Sequence, residues 1–265
     1  MDEIATYYGL DREHDRLTRG LGVVEFARTL ELLGRLLPPA PAAVLDVGGG
    51  TGVYARELLK AGHAVHLLDA MPGHVARVRA DPTLAGLTSV TLGDARRLPY
   101  ASASADAVLL LGPLYHLTRS ADRAAALAEA RRVLRPGGVL VAVGIPRAAA
   151  ICGDFTRGLP GEPYFRPIRE AAYTGGEYLN PEHRPGYFTT AYFHHPHELE
   201  AELAAAGVRD VTLYALEGPA SLLPDPEEIM RDAERREGLL AALRLMERDP
   251  ALLGVTPHLL AVGQG

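Results

Sequence analysis

The sequence predicts a three-layer α/β/α sandwich on a mostly parallel sheet, and three observations predict it. The stretch Val44-Leu45-Asp46-Val47-Gly48-Gly49-Gly50-Thr51-Gly52 runs from a buried strand through a glycine turn straight into a helix-like segment, Val53 to Ala61. Apolar strand-like runs then alternate with segments of helical period, as in linked βαβ units. One of those runs, Ala107 to Pro113, is apolar without alternation, as a central parallel strand covered on both faces should be.

Composition bounds what such a chain does. With 265 residues, 48% of them hydrophobic, it is long enough for one large domain carrying an elaboration. The net charge of −6 and the absence of any long Lys/Arg run argue against an electrostatic footprint for nucleic acid. A single cysteine, Cys152, excludes an intrachain disulfide framework and a paired-cysteine metal knuckle, and is expected to be a small buried residue. The acidic start Met1-Asp2-Glu3, and no apolar run of the ~18 residues a membrane span needs, point to a cytoplasmic chain without membrane contact. High Ala, Arg, Gly and Pro usage with little Lys suits a bacterial genome.

Residues 1–20 are polar with apolar punctuation at Ile4, Tyr7, Tyr8, Leu10 and Leu17. Val23, Phe26, Ala27, Leu30, Leu33 and Leu37 fall at three-and-four spacing, an amphipathic helix that Pro38-Pro39 ends. In the turn that follows, Gly48, Gly50 and Gly52 admit positive φ and let a ligand approach without a Cβ in the way. The turn delivers that ligand to a helix N-terminus, where unpaired N–H groups and the dipole favour an anionic group. A dinucleotide fingerprint needs glycines at relative positions one, three and six, and Val53 stands at the sixth. A nicotinamide-dependent oxidoreductase is therefore the weaker reading.

What stands here instead, Asp46 followed by Gly48, Gly50 and Gly52, resembles motif I of the class I S-adenosylmethionine-dependent methyltransferases. The resemblance implies that the acid and the glycines hold the methionine end of the cofactor. Ala64 to Asp69 reads as the second strand, and an acid at its end is where a parallel-sheet protein meets a ribose. Asp69-Ala70-Met71 resembles motif II, with Met71 against the adenine face. After a short helix over 74–80 comes a third strand, Val90 to Ala95. Its Gly93-Asp94-Ala95 resembles motif III, which implies that Asp94 accepts from the adenine amine while the neighbouring backbone N–H, at Ala95, donates to the ring. The fourth strand ends in Leu111-Gly112-Pro113-Leu114-Tyr115-His116, the place of motif IV beside the transferring methyl. Enzymes of this fold that methylate amide or base nitrogens often carry Asn/Asp-Pro-Pro-Tyr there. Gly112 and Leu114 depart from that pattern and argue against such acceptors. Tyr115 and His116 are candidate substrate contacts, and His116, with an ordinary pKa of ~6.5, a candidate general base. The alternative is a packed tyrosine beside a structural histidine. A helix over 120–134, the stop Arg135-Pro136-Gly137-Gly138 and a fifth strand, Val139 to Ile145, extend the resemblance over about residues 40–146. By the same likeness residues 1–22, with Tyr8, read as a lid over the cofactor, ahead of a cofactor-binding core over 23–146.

Residues 147–197 differ in character: Gly, Pro and aromatics dominate, with more than half of the chain's Phe and Tyr. So long a stretch without periodicity is too long for a plain connection and reads as a substrate cap. Tyr187, Tyr192, His194 and His195 are its candidate substrate contacts; the alternative is a satellite core under a long loop. The run Phe193-His194-His195-Pro196-His197 fits no recurrent zinc spacing, so no metal is expected. Residues 198–265 return to the core. They hold a helix over 198–206, an edge strand from Val208 to Glu217, a charged helix from Glu227 to Asp249 and a last strand from His258 to Gly263. In the family this ending is the antiparallel closure of a seven-stranded, Rossmann-like sheet.

The expected activity is S-adenosyl-L-methionine-dependent methyl transfer to an O, N or C nucleophile of a small metabolite, leaving S-adenosyl-L-homocysteine. No nucleic-acid or membrane partner is expected, and the chain acts as a monomer or homodimer. A non-catalytic protein that binds the same cofactor is the alternative.

Overall fold

The computed structural model describes residues 16–157, 161–180, 182, 184 and 188–265; most of the expected lid, including Tyr8, and the candidate Tyr187 lie outside them. In chain order the strands are β1 (Ala43–Val47), β2 (Ala64–Asp69), β3 (Ser89–Leu92), β4 (Ala105–Leu110), β5 (Leu134–Gly144), β6 (Glu177–Tyr178), β7 (Ala191–Tyr192), β8 (Arg209–Ala215) and β9 (Leu259–Gln264). Seven of them form one sheet in the order β3-β2-β1-β4-β5-β9-β8, while β6 and β7 pair antiparallel by themselves. The expected fold is the one observed. From β3 across to β5 every pairing is parallel, with Val44 beside both Val65 and Ala107. β9 runs the other way: Gly265 at its end donates to Gly138 at the start of β5 (2.8 Å) and accepts from Gly137 (3.2 Å). That exchange draws Arg135–Gly138, expected to be a stop, into β5, with Leu134, expected to end the helix, as its first residue.

Two compact units divide the chain. One comprises residues 34–143, 200–212 and 261–265 and holds α2 (Val53–Lys60), α3 (Pro72–Ala80), α4 (Pro113–His116) and α5 (Ser120–Val133), the helix α1 (Gly22–Leu36) before them lying almost wholly in the other unit. Its core is made by the central strands: Val44, Val47, Leu67, Val108 and Leu109 are fully buried, and four consecutive positions of β1 and of β4 are buried without alternation. Helices on both faces account for that pattern.

The other unit gathers residues up to 33, 144–199 and 213–260. It contains α6 (Ala149–Arg157) and α7 (Phe165–Gly175), the first turn of α8 (Pro196–Ala205), then α9 (Pro226–Arg231), α10 (Ala233–Met246) and α11 (Pro250–Leu253). The aromatic residues of the expected cap pack on one another. Tyr178 stacks on Phe193 (centroids 5.1 Å apart, 20° between planes) and meets Phe165 and Phe188 at its edges. A second small core joins Val24 of α1 to Ala220 and Leu243. The single charged helix expected over Glu227–Asp249 is two helices. Asp232 takes an extended backbone and its carboxylate accepts from the Arg235 N–H (2.9 Å), starting α10 afresh. Cys152, expected to be buried, is half-exposed on α6.

Candidate active site

β1 and β4 are neighbours in space, yet their onward connections go to opposite sides of the sheet. That is the switch point at which open parallel sheets take their ligands, outside the carboxyl ends of the strands. The glycine turn leaves β1 there and α4 leaves β4 there. Gly48, Gly50 and Gly52 have φ of +73°, +56° and +80°, a region that glycine enters at little cost. The turn is packed as well as bent. A Cβ on Gly48 would stand 2.6 Å from Pro113 Cγ, one on Gly52 2.7 Å from Leu84, and one on Gly49 2.7 Å from Asp46 Oδ2. At Gly50 a Cβ would meet nothing within 4 Å among the described residues. The turn is closed on three sides and open on one.

Two carboxylates lie beneath it. Asp46 is 1% exposed, and its Oδ2 has no hydrogen-bond partner among the described residues. Burial, and then the charge on Asp69, push its pKa up to about 7. Asp69, also buried, is fully engaged: Oδ2 accepts from the Gly50 N–H (2.8 Å), and Oδ1 accepts from the Met71 N–H (2.8 Å) and lies 3.1 Å from His74 Nδ1. It thereby ties the turn after β1 to the start of α3. Ala70 is exposed and Met71 half-buried beside it. Asp94 follows β3 in a tight turn, where it accepts from the Arg96 N–H (2.9 Å) and guanidinium (2.6 Å). Hydrogen bonds from Arg96 hold its carboxyl below the usual range against the opposing effect of burial. Arg96 also reaches Asp122 on α5 (3.1 Å), and Ala95 is buried. His74 and Arg96 were not among the expected site residues. The spacing of two between Asp94 and Arg96 is a signal that was there to find; the five-residue reach from Asp69 to His74 appears only once α3 is in place.

Leu111 and Gly112 lead from β4 into α4, and Gly112 lies against the Gly48 carbonyl. Tyr115 is buried, with its ring 4.6 Å from that of half-buried His116 at 63°. The loop beyond is held by Arg123, a fully sequestered residue of α5. Its Nη1 donates to the carbonyls of Leu117 and Thr118 (2.9 Å each), while Nε and Nη2 grip Glu202 (3.0 and 2.7 Å). Such a planar, bidentate fork fixes the backbone after His116 more firmly than a lysine would.

The candidate substrate residues of the cap lie in the other unit. His194 is fully buried; its N–H donates to the Ile145 carbonyl (2.8 Å), and its ring meets that of Tyr192 edge-on (4.8 Å). Tyr192 lies 3.4 Å from Arg147, whose guanidinium also binds Glu198 (2.6 Å) and the Thr174 carbonyl (2.7 Å). His195 opens α8, its N–H donating to Glu198 Oε2 (2.7 Å), and its ring stacks on His197. Elsewhere in that unit Glu25, Glu217 and His258 bring ligand-type atoms within 4.8 Å of one another. Those atoms are already spent on ion pairs, His258 with Glu217 (2.5 Å) and Glu25 with Arg16.

The sequence profile of the Methyltransferase domain family matches residues 45–142. An uncharacterized methyltransferase of Mycobacterium bovis is 38% identical over 110 residues, 42% of either chain. The demethylmenaquinone methyltransferase of Beutenbergia cavernae is 36% identical over 141 residues, 53% of this chain and 54% of that one. The chain thus spans about half the length of the curated relatives it matches. Among solved structures, a Thermotoga maritima S-adenosylmethionine-dependent methyltransferase, described as a possible histamine N-methyltransferase, superposes with a TM-score of 0.60 at 17% identity, covering 100% of this chain and 99% of its own. Phosphoethanolamine N-methyltransferase 2 of Haemonchus contortus, solved with S-adenosyl-L-methionine, gives 0.55 at 17% identity, over 90% of this chain and 52% of that one. With this strand order, this switch-point turn and this matched stretch, residues 45–142 are a methyltransferase domain, and the fold is that of the class I S-adenosylmethionine-dependent methyltransferases.

Proposed function

We propose that the chain transfers the methyl group of S-adenosylmethionine to an O, N or C nucleophile of a small metabolite. The observation that carries this reading is Asp46 Oδ2, a buried acceptor without a described partner at a glycine turn that is open on one side. A buried acceptor left unmade costs ~1–3 kcal/mol, and an ammonium such as that of the methionine end would satisfy it. The residues present therefore fit the cofactor. Asp46 and the glycines would hold the methionine end, Asp69 and Met71 the ribose and adenine, Asp94 and Ala95 the adenine edge, and Leu111 and Gly112 the side facing transfer.

When bound, the cofactor supplies a methyl group already activated on a sulfonium. What remains for the chain is to align the acceptor and exclude water. His116 takes the acceptor's proton where the nucleophile is protonated, and the buried ring of Tyr115 steadies it. A small acceptor is supported by the acidic composition and by Gly112 and Leu114 in place of the polar pattern. The acceptors in the names of the two neighbours above, phosphoethanolamine and, as a possible acceptor, histamine, are likewise small. The test is calorimetry with S-adenosylhomocysteine, joined to a screen of hydroxyl-, amine- and carbon-acid metabolites with methyl-labelled S-adenosylmethionine. Asp69→Ala is expected to abolish the binding heat, and at least one metabolite to acquire label. Undiminished binding by Asp69→Ala sinks the cofactor assignment; binding without label transfer to any acceptor leaves a non-catalytic binding protein.

A further inference from the structure

A pocket of about 450 Å³ opens in the unit that holds α6, α7 and α9 through α11. The volume lies within the ~300–1,000 Å³ of small-molecule sites. One wall is α6, through Ala149 and Cys152; another is the turn that carries Leu222 and Leu223; Val255 and Pro257 face them, and Leu21 closes the end near α1. Pro224, Pro226, Gly153 and Ser221 complete the lining, so among the described residues no ionised side chain faces the space. Burial pushes the Cys152 thiol up, which keeps it neutral, and the Ser221 hydroxyl donates to the Gly218 carbonyl (3.3 Å). The charges nearby are turned upon one another: Arg16 on Glu25, and His258 on Glu217.

The walls are tied together by hydrogen bonds. The Gly218 N–H donates to Thr256 Oγ1 (3.0 Å), joining the turn at 218–222 to the segment that bears Val255 and Pro257. The Gly20 N–H donates to Glu227 Oε2 (2.9 Å), joining the approach to Leu21 to α9 beside Pro226. Leu21 and Leu223 also pack on the Val24–Ala220–Leu243 core. The pocket is therefore built rather than accidental, and its rim is unusual: Leu222 is 70% and Val255 41% exposed. Large apolar side chains left open to water around an uncharged cavity are what an apolar occupant covers.

We propose that this pocket is a binding site for a small, neutral, largely apolar molecule. Neither the glycine turn nor His116 is among its described lining residues. Cys152 is the chain's only cysteine, so alkylation by iodoacetamide reports on one wall alone. In the full-length protein 2-naphthol is expected to slow that alkylation saturably. 2-Naphthoate, the same rings bearing a carboxylate, is expected to bind about tenfold more weakly, because an unpaired charge is costly to bury. Leu222→Asp and Val255→Asp, at exposed rim positions, are each expected to weaken naphthol about tenfold while leaving the thermal midpoint and the ligand-free alkylation rate unchanged. The anisotropy of naphthol's own fluorescence reads the same binding without the thiol. Equal protection by naphthoate, protection undiminished in both variants, or no naphthol binding by either readout overturns the proposal.

Discussion

Asp46 is a buried carboxyl whose charged form the fold disfavours. Its ordinary value of 3.8 is raised to about 7 by burial first and by Asp69 second, so between those values the fold holds a proton that the unfolded chain has released. The folded state binding more protons, stability without cofactor falls as pH rises from about 4 to about 7. Asp46→Asn keeps the shape and removes the charge. It is expected to flatten that decline and raise the thermal midpoint at pH 8, while weakening S-adenosylhomocysteine by about tenfold in calorimetry. Unaltered affinity would detach Asp46 from the cofactor. His116→Ala, two side chains from the glycine turn's neighbour Pro113, is expected to lower turnover with the true acceptor far more than it lowers cofactor affinity; equal turnover removes it from the mechanism. At this scale the motif acids were readable from their places at strand ends. What each one touches was not: the grip of Arg96 on Asp94, and of Asp69 on Gly50 and His74, depends on how α3 and the turn after β3 fold back.

The strand–turn–helix from Ala43 to Lys60 is a unit whose glycines are set by contact as much as by dihedral angle. Gly48→Ala forces both a φ of +73° and a methyl 2.6 Å from Pro113 Cγ. The expected cost is ~1–3 kcal/mol of stability in chemical denaturation, with loss of S-adenosylhomocysteine binding. Adding Pro113→Ala removes the clash and leaves the dihedral strain, so it should restore part of the stability and not all of it; full restoration would show that the positive φ costs nothing. Elements of the central sheet were readable because burial on both faces writes itself as an unbroken apolar run, as in Val108–Leu110. Breaks in helices were less so. The charged pattern from Glu227 to Asp249 is continuous, and only the extended backbone and cap at Asp232 show that it is two helices.

At the scale of the molecule, the unit bearing α6, α7 and α9 through α11 was hidden from the sequence because it is assembled from three separated stretches. Its ties, Arg28 to Glu247, Gly20 to Glu227 and Glu25 to His258, join residues more than two hundred positions apart, where spacing carries no signal. The buried network among them gives the unit a stability optimum in pH. Burial pushes His258 down, but the carboxylates of Glu25 and Glu217 outweigh it and hold the imidazole above its usual 6.5. Burial likewise pushes Glu25 up, and His258 and Arg16 outweigh it to hold the carboxyl below 4.5. The histidine's contribution is therefore whole below pH 6.5 and lost as pH rises through its folded value; that of Glu25 is whole above pH 4.5 and lost as pH falls through its own. The network is strongest between those limits. His258→Gln retains hydrogen-bonding groups and discards the charge. It is expected to lower the thermal midpoint of the full chain markedly at pH 6 and less at pH 9, since the native imidazolium is lost as pH rises. An equal drop at both values would mean that His258 serves the unit by packing alone and that its charge holds nothing together.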